Sequence, residues 1–244
     1  MSEGPQGWGT PLYSRALDAL PAGATVLDVG CGAGEFARVA TDRGHAVRGV
    51  DTDPSAVAVA ARRVPEGVFA VGDAQSLGQP DSSYDAVALV QLVTHVANPL
   101  AALREAARVV RPSGTVVVSV WGRESECDVR LIGESLAGLL PPRSASPSGP
   151  PPLTEPERLT KIVGMAGLAV ASVDEVVCSF RYDHEDELVG PVLGSGLGRT
   201  AARRGGPGGV RAAILEGLAP QRQPDGSYVL QNLFRVLTAH PATA

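Results

Sequence analysis

The stretch that decides the fold is VLDVGCGAG, residues 26–34. An apolar run typical of a strand leads directly into glycines at positions 30, 32 and 34, and a helix-like stretch follows. In such a unit the backbone N–H groups of the turn and the N-terminus of the helix face a ligand lying over the turn. Glycines this dense after a strand disfavour an ordinary strand–helix connection. The stretch therefore predicts a cofactor loop.

The glycine spacing separates two classes of cofactor. The dinucleotide fingerprint G-x-G-x-x-G/A requires Gly or Ala at position 35, where this chain has Glu35. NAD is therefore disfavoured, and an NAD-dependent oxidoreductase stays open only as an alternative. The spacing G-x-G-x-G, preceded by Asp28, resembles motif I of the class I S-adenosylmethionine-dependent methyltransferases, in particular the methyltransferase type 11 or UbiE-like group.

Outward from this turn, short apolar runs alternate regularly with helix-like stretches. Such alternation predicts parallel βαβ units with helices on both faces, which is a doubly wound α/β sheet. A further amphipathic helix is predicted over residues 11–20. The predicted strands span residues 25–29, 46–50, 68–71, 84–90 and 115–120, and the helices include 36–43, 56–63 and 100–110.

The second half of the chain is less regular. Thr154 and Glu157 have the spacing of a capping box and predict a helix that ends at Gly167. Asp225-Gly226 predicts a turn before the last strand. The other predicted features are a helix within 128–140, a proline-rich loop at 141–152, a glycine-rich zone at 190–209 followed by a helix near 210–218, and strands at 170–182 and 228–237.

The resemblance implies the complete architecture. It is a Rossmann-like, seven-stranded sheet in the order 3-2-1-4-5-7-6 with the last strand antiparallel. We expect one domain over residues 1–244, with a cofactor-binding core at 25–121. Residues 122–152 and 183–226 are then expected as insertions that form a substrate lid over the carboxyl ends of the strands.

The resemblance also assigns residues to the adenosyl group of S-adenosylmethionine. Asp51, at the end of the second strand, is expected to accept hydrogen bonds from both ribose hydroxyls. Thr52 is expected beside the adenine. Asp73 is expected to bind the adenine N6 amino group, and the backbone N–H of Ala74 to meet adenine N1. Taken alone, Asp73 also has the pattern of a loop or N-cap aspartate.

Further residues are expected near the methionine part of the cofactor. Besides Asp28, Gly30, Gly32 and Gly34 in the turn, the resemblance indicates Gln91, which follows the fourth strand. Tyr13 is expected to close the pocket at the methionine carboxylate, although packing of its helix explains it equally well. Cys31 lies inside the turn and is expected to pack there as a small apolar residue.

Two histidines are candidates for a general base. A hydroxyl acceptor has to lose its proton during methyl transfer, and His is the commonest group for this task. His95 lies just past the fourth strand and His184 lies in the expected lid. The alternatives are a surface histidine for His95 and the solvated start of a helix for His184.

Composition limits the partners and the compartment. The 244 residues are 44% hydrophobic and 19% charged, so the chain folds, and its net charge of −5 disfavours a nucleic-acid partner. No segment has the pattern of a signal peptide or of a membrane span. Cys31, Cys127 and Cys178 have no metal-ligand spacing and indicate a reducing compartment, so we expect a cytoplasmic protein without a metal, as a monomer or homodimer.

These observations predict a methyltransferase that acts on a small molecule and releases S-adenosylhomocysteine. The glycine- and proline-rich insertions favour a bulky acceptor from specialised metabolism, and the acceptor atom, O, N or C, stays open. One alternative is a methyltransferase-like cyclase that binds the cofactor without net methyl transfer. A second alternative is a cofactor-binding module without catalysis.

Overall fold

A computed structural model describes residues 7–142 and 152–242. Its seven-stranded sheet has the order β3-β2-β1-β4-β5-β7-β6. The pairs β1–β2, β1–β4, β2–β3 and β4–β5 are parallel, and β5–β7 is antiparallel, which confirms the predicted fold. The strands are β1 Thr25–Val29, β2 Ala46–Asp51, β3 Val68–Val71, β4 Tyr84–Val90, β5 Val110–Trp121, β6 Leu168–Tyr182 and β7 Tyr228–Pro241.

Helices connect the strands and begin at recognisable signals. Asp53 and Asn98 are side-chain N-caps, and Pro54, Pro99 and Pro156 each occupy a first helical position, where a missing N–H costs nothing. The helices are α1 Thr10–Asp18, α2 Glu35–Asp42, α3 Pro54–Arg63, α4 Pro99–Val109, α5 Arg130–Ser135, α6 Pro156–Met165, α7 Glu185–Gly194 and α8 Gly196–Gly217.

The described residues divide into two compact units. Residues 9–121, 152–176 and 234–242 form the first unit. Its core contains Leu27, Val87, Leu103 and Val118, which are fully buried between the sheet and α4. Because β1 to β5 pair in parallel, they end together at one edge of the sheet and begin together at the other.

Residues 7–8, 122–142 and 177–233 form the second unit. Arg211 of α8 pairs there with Glu185 and Asp186 of α7, at 2.8 and 2.6 Å. The rings of Trp8 and Phe180 lie 5.0 Å apart between their centroids. The expected lid segments lie largely within this unit, and their role as a lid stays a prediction. Of the predicted proline-rich loop, residues 143–151 lie outside the described residues.

Three local predictions differ from the structure. The helix expected within 128–140 is broken into α5 and a 3₁₀ turn, and the Ser135 hydroxyl binds the carbonyl of Leu131 at 2.6 Å where α5 ends. The glycine-rich zone at 190–209 is largely helical, in the end of α7 and in α8, and α8 is kinked at Gly206 (φ +66°). Packing outweighs the low helix propensity of glycine there, because Ala201 and Val210 are fully buried.

The third difference concerns the start of α6. Its N-cap is Glu155 and its first residue is Pro156, so the predicted capping box of Thr154 with Glu157 is wrong. The Thr154 carbonyl instead accepts a hydrogen bond from the buried Arg235 guanidinium at 3.3 Å. The turn at Asp225-Gly226 is confirmed, since Gly226 has φ +90°.

Candidate cofactor site

The glycine turn lies between β1 and α2, as predicted. Gly30, Gly32 and Gly34 have φ values of +74°, +49° and +81°, a region that other residues rarely adopt. A Cβ on Gly34 would lie 3.0 Å from the Cα of Ala60, so α2 and α3 approach closely. A Cβ on Gly32 would meet nothing within 4 Å, so the turn is open on that side.

The N–H groups of the turn are used inside the protein. Gly30 and Cys31 both donate to the Val50 carbonyl, at 2.8 and 3.0 Å. Gly32 donates to Asp51 Oδ2 at 2.8 Å, and Gly34 donates to the Cys31 carbonyl at 2.9 Å. For these four N–H groups the expectation that they face a ligand is wrong, whereas the part that concerns the N-terminus of α2 stays a prediction. The four groups tie the turn to the end of β2, and they are not available to a pyrophosphate.

Asp51 is half-buried at the end of β2, and its carboxylate joins the glycine turn to the residues just before α3 by hydrogen bonds. Its Oδ2 accepts from Gly32 N and its Oδ1 accepts from Asp53 N, at 2.8 and 2.9 Å. Each carboxylate oxygen has two lone pairs, so each can still accept one hydroxyl. Asp51 is thus held with two vacant acceptor positions beside the open face of the turn, while the neighbouring Thr52 is exposed.

Asp28 lies buried beneath the turn with 1% of its surface exposed. Its Oδ2 has no hydrogen-bond partner among the described residues. Burial, and secondarily the charge of Asp51, raises the pKa of the Asp28 carboxyl to about 7. Two neighbouring carboxyl groups make this site attractive to a cation and repulsive to a phosphate.

Cys31 belongs to the wall of the same site. Only 6% of its surface is exposed, and burial followed by the charges of Asp28 and Asp51 raises the pKa of its thiol. The thiol therefore stays protonated and behaves as a small apolar group, in agreement with the packing expected from the sequence.

The loop after β3 lies beside the end of β2, because Gly72 N donates to the Asp51 carbonyl at 3.0 Å. Asp73 is exposed, and hydrogen bonds from the backbone and side chain of Gln75 lower the pKa of its carboxyl. Ala74 is buried. Asp73 makes the local turn that its sequence pattern indicates, and its carboxylate keeps capacity to accept from an amino group.

Gln91 follows β4 with a φ of +56°, which is rare for a residue other than glycine. Its backbone N and its Nε2 both donate to Ser119 Oγ, at 3.1 and 3.0 Å, and Ser119 is fully buried in β5. The buried Oε1 of Gln91 has no partner among the described residues. The next residue, Leu92, lies against the turn, since a Cβ on Gly30 would meet its Cδ1 at 2.6 Å.

Sequence reasoning missed Ser119. The available signal was a single serine within the valine run Val116–Val120, near the carboxyl end of β5. Its partner depends on strand register, since Val90 pairs with Ser119.

The remaining predicted residues lie in different places. The Tyr13 ring packs edge-on against Phe36 of α2, with centroids 5.9 Å apart. His95 is exposed in a turn after β4 and donates its backbone N–H to the Leu92 carbonyl at 2.8 Å. His184 is the exposed N-cap residue of α7 in the second unit. The structure thus brings together the turn, Asp28 and Asp51, and leaves both histidine roles as predictions.

The strand order and the glycine turn agree with the resemblance to the class I S-adenosylmethionine-dependent methyltransferases. Residues 27–118 match the family model of a methyltransferase domain. The chain is 41% identical over 119 residues to 2-methyl-6-phytyl-1,4-hydroquinone methyltransferase of Synechocystis, covering 47% of this chain and 37% of that protein. It is 35% identical over 136 residues to ubiquinone biosynthesis O-methyltransferase of Xanthomonas campestris, covering 53% and 56%. Residues 27–118 are thus similar to methyltransferase domains, and the matched part of the chain spans 37% and 56% of the length of these curated relatives.

Solved structures support the fold. A candidate type II methyltransferase from Anaeromyxobacter dehalogenans has a TM-score of 0.71 at 19% identity, with all of both chains covered. The [4+2]-cyclase SpnF has a TM-score of 0.61 at 23% identity, covering 96% of this chain and 81% of that one. Within the residues that the structure describes, no helix is long and apolar enough to cross a membrane, and no group of three His, Cys, Asp or Glu residues is placed to bind a metal.

Proposed function

We propose that this chain transfers the methyl group of S-adenosylmethionine to a small-molecule acceptor and releases S-adenosylhomocysteine. The observation that carries this proposal is Asp51, held with vacant acceptor positions beside the open face of Gly32 and above the buried Asp28. The cofactor is a sulfonium with an ammonium group and no phosphate, so it fits a turn whose amides are occupied and whose buried groups are carboxyls. A dinucleotide carries a pyrophosphate, which the two carboxyl groups would repel and for which these amides are not available.

Each predicted residue then has a role. Asp51 would hold the ribose hydroxyls, and Thr52, Asp73 and the backbone of Ala74 would surround the adenine. Gln91 and Tyr13 would lie at the methionine part.

When bound, the cofactor supplies a methyl group that is already activated, so the protein mainly orients the acceptor in line with it and excludes water. For a hydroxyl acceptor, His95 or His184 would take the proton, a contribution of about 10²- to 10⁴-fold.

The acceptor is proposed to be an apolar small molecule of specialised metabolism. Two relatives are named for quinone-type substrates, which supports a bulky ring acceptor. The net charge of −5 argues against nucleic acid. The three cysteines, Cys31, Cys127 and Cys178, are buried and have no metal-ligand spacing, which supports the cytoplasm as the compartment.

Calorimetric titration with S-adenosylmethionine tests the cofactor assignment. We expect saturable binding by the natural protein and loss of detectable binding in Asp51→Ala. Asp81→Ala is the matched control, because Asp81 is an exposed aspartate that pairs with Arg108 at 2.6 Å and does not line the turn. Near-unchanged affinity in Asp51→Ala would contradict the ribose assignment.

The alternative reaction is a cyclisation in which the cofactor is bound but not consumed. The likeness to SpnF concerns the fold alone. Measuring S-adenosylhomocysteine formed per product molecule separates the reactions. A ratio of one supports methyl transfer, and cyclised product without S-adenosylhomocysteine rejects it. Light scattering of the same sample distinguishes monomer from homodimer.

A further inference from the structure

A cavity of about 430 Å³ lies at the edge of the sheet where its parallel strands begin. The first residues of four neighbouring strands line it: Thr25 of β1, Ala46 of β2, Val68 of β3 and Tyr84 of β4. The glycine turn and Asp51 lie at the opposite edge, where β1 and β2 end. Since parallel strands run in one direction, this cavity is separate from the candidate cofactor site.

The cavity contains a cation whose charge is not neutralised by a neighbour. Arg48 of β2 is exposed, and among the described residues no carboxylate oxygen lies within 4.0 Å of its guanidinium. Glu66 also lines the cavity, but its carboxylate pairs with Arg38 at 3.2 Å. The fixed positive charge in this cavity is therefore that of Arg48.

A buried tyrosine lies beside this guanidinium. Tyr84 is 5% exposed and its hydroxyl donates to Gln79 Oε1 at 2.7 Å. Because that proton is used, the oxygen is left as an acceptor, and the charge of the nearby Arg48 acts against the rise that burial causes in the Tyr84 pKa. The N–H groups of the Arg48 guanidinium are available to an acceptor in the cavity.

The rest of the lining is suited to an apolar body. Val68 exposes 54% of its surface in the four-residue edge strand β3, and Val47 and Pro80 also contribute to the lining. Small-molecule sites measure roughly 300 to 1,000 Å³ and combine apolar walls with a few placed polar groups. This cavity falls at the small end of that range, which is the size of a single substituted ring.

We propose that this cavity binds a small monocarboxylate with an apolar, ring-sized body, whose carboxylate lies on the Arg48 guanidinium. Tyr84 also lines the cavity and is assigned as a positioning residue, which acts on the ligand through Arg48. The site does not depend on the proposed methyl transfer, because it shares no residue with the turn, Asp28 or Asp51.

Benzoate is the probe, titrated into the full chain and followed by calorimetry and by ligand-observed NMR. We expect saturable binding of one benzoate, and binding about tenfold weaker or more for benzamide, its neutral counterpart. Arg48→Gln should weaken benzoate by a similar factor. Arg62→Gln is the matched control and should change the affinity less than about twofold, because Arg62 is exposed on α3 and does not line the cavity.

Two further variants test the role of the Arg48 side chain without loss of its charge and the positioning role of Tyr84. Arg48→Lys keeps the charge and loses the planar fork, so its benzoate affinity should fall between those of the natural protein and Arg48→Gln. Tyr84→Phe should weaken the binding of benzoate by roughly two- to fivefold while S-adenosylmethionine binding is retained, because the guanidinium loses the neighbouring hydroxyl oxygen.

Several results would overturn the proposal. These are no saturable binding of benzoate to the natural protein, equal affinities of Arg48→Gln and Arg62→Gln, or inorganic phosphate binding as tightly as benzoate. Competition by S-adenosylhomocysteine, or loss of benzoate binding in Asp51→Ala, would place the probe in the cofactor site instead. Failure of cofactor binding with benzoate binding intact would overturn only the proposed function.

Discussion

The pKa of the buried Asp28 carboxyl lies far above that of an exposed aspartate. Its carboxyl pKa is raised from 3.8 to about 7, chiefly by burial and then by Asp51. The folded protein therefore holds this proton more tightly than the unfolded chain does. Its contribution to stability is full below about pH 4 and falls as the pH rises to about 7, above which it stays constant.

Asp28→Asn removes this pH dependence. Between pH 5 and pH 8 the free energy of unfolding should shift in favour of the variant by about 3 kcal/mol relative to the natural protein, from about 1.4 kcal/mol per pKa unit. Urea denaturation at each pH measures this difference, with Asp81→Asn as the exposed control. A difference between the two proteins that does not change with pH would show that Asp28 does not titrate in this range.

The cofactor should also act on Asp28 if the proposed function holds. A cation bound above the turn stabilises the ionised carboxyl and lowers its pKa. Binding of S-adenosylmethionine near pH 7 should then release up to about half a proton, because Asp28 is about half protonated there, and affinity should rise from pH 6 to pH 8. Calorimetry in two buffers of different ionisation enthalpy measures the proton count, and identical heats in both buffers would contradict the expectation.

Ser119 and Gln91 form a pair that joins two strands at the candidate site. Ser119→Ala removes the acceptor of Gln91 Nε2, whereas Gln91 N keeps the Ser119 carbonyl as its acceptor, so we expect a cost of about 1–3 kcal/mol. The double variant with Gln91→Ala should be more stable than the sum of the single losses predicts, by about 0.5 kcal/mol or more. Urea denaturation of the four proteins measures this coupling, and strict additivity would mean that the two residues act independently.

At the scale of elements, α4 depends on its N-cap residue, Asn98. Asn98 Oδ1 accepts from Ala101 N at 3.1 Å, and the helix buries Leu103, Ala106 and Val109 against the sheet. Asn98→Ala should lower the free energy of unfolding by about 1 kcal/mol, whereas Asn98→Asp keeps the acceptor and should lower it little. Thermal and urea denaturation compare the three proteins, and equal losses in both variants would exclude the cap as the cause.

The elements that could be predicted from the sequence are those whose cause is local. The predicted bounds of β1, β3 and β4 agree with the structure, because each strand is a short apolar run between turn residues. The helical character of residues 190–209 could not be predicted, because their glycines resist a helix that only the burial of residues such as Ala201 stabilises.

The same division holds for the site. The position of Asp51 beside the turn follows from strand order, and the pattern indicates it. The use of the turn's N–H groups by Val50 and Asp51 does not follow, since it requires the distance between two strands. The partner of Gln91 likewise depends on the register of β4 against β5. The spacing of residues in the sequence predicts which side chains lie at the same edge of the sheet. The hydrogen-bond partner of each group depends on the distances between strands in the folded protein.

At the scale of the whole molecule, the two edges of one sheet present different electrostatics. The edge where the strands end carries Asp28 and Asp51, and the edge where they begin carries Arg48, which forms no ion pair with a carboxylate of the described residues. One edge therefore suits a cationic cofactor and the other a small anion. The sheet separates these two charges, so ligands at the two edges should bind independently.

Most of the positive charge is already engaged, which bears on macromolecular partners. At least eleven arginines of the chain form ion pairs with carboxylates, and the net charge is −5. A nucleic acid gains affinity by releasing counterions to free basic side chains, with a salt slope of about −0.7 per contacted phosphate on single strands. The chain at micromolar concentration should leave the mobility of labelled RNA unchanged at 50 mM salt, with a basic RNA-binding protein as the positive control. A shift that weakens steeply as salt is raised would reveal a basic surface and would contradict a small-molecule acceptor.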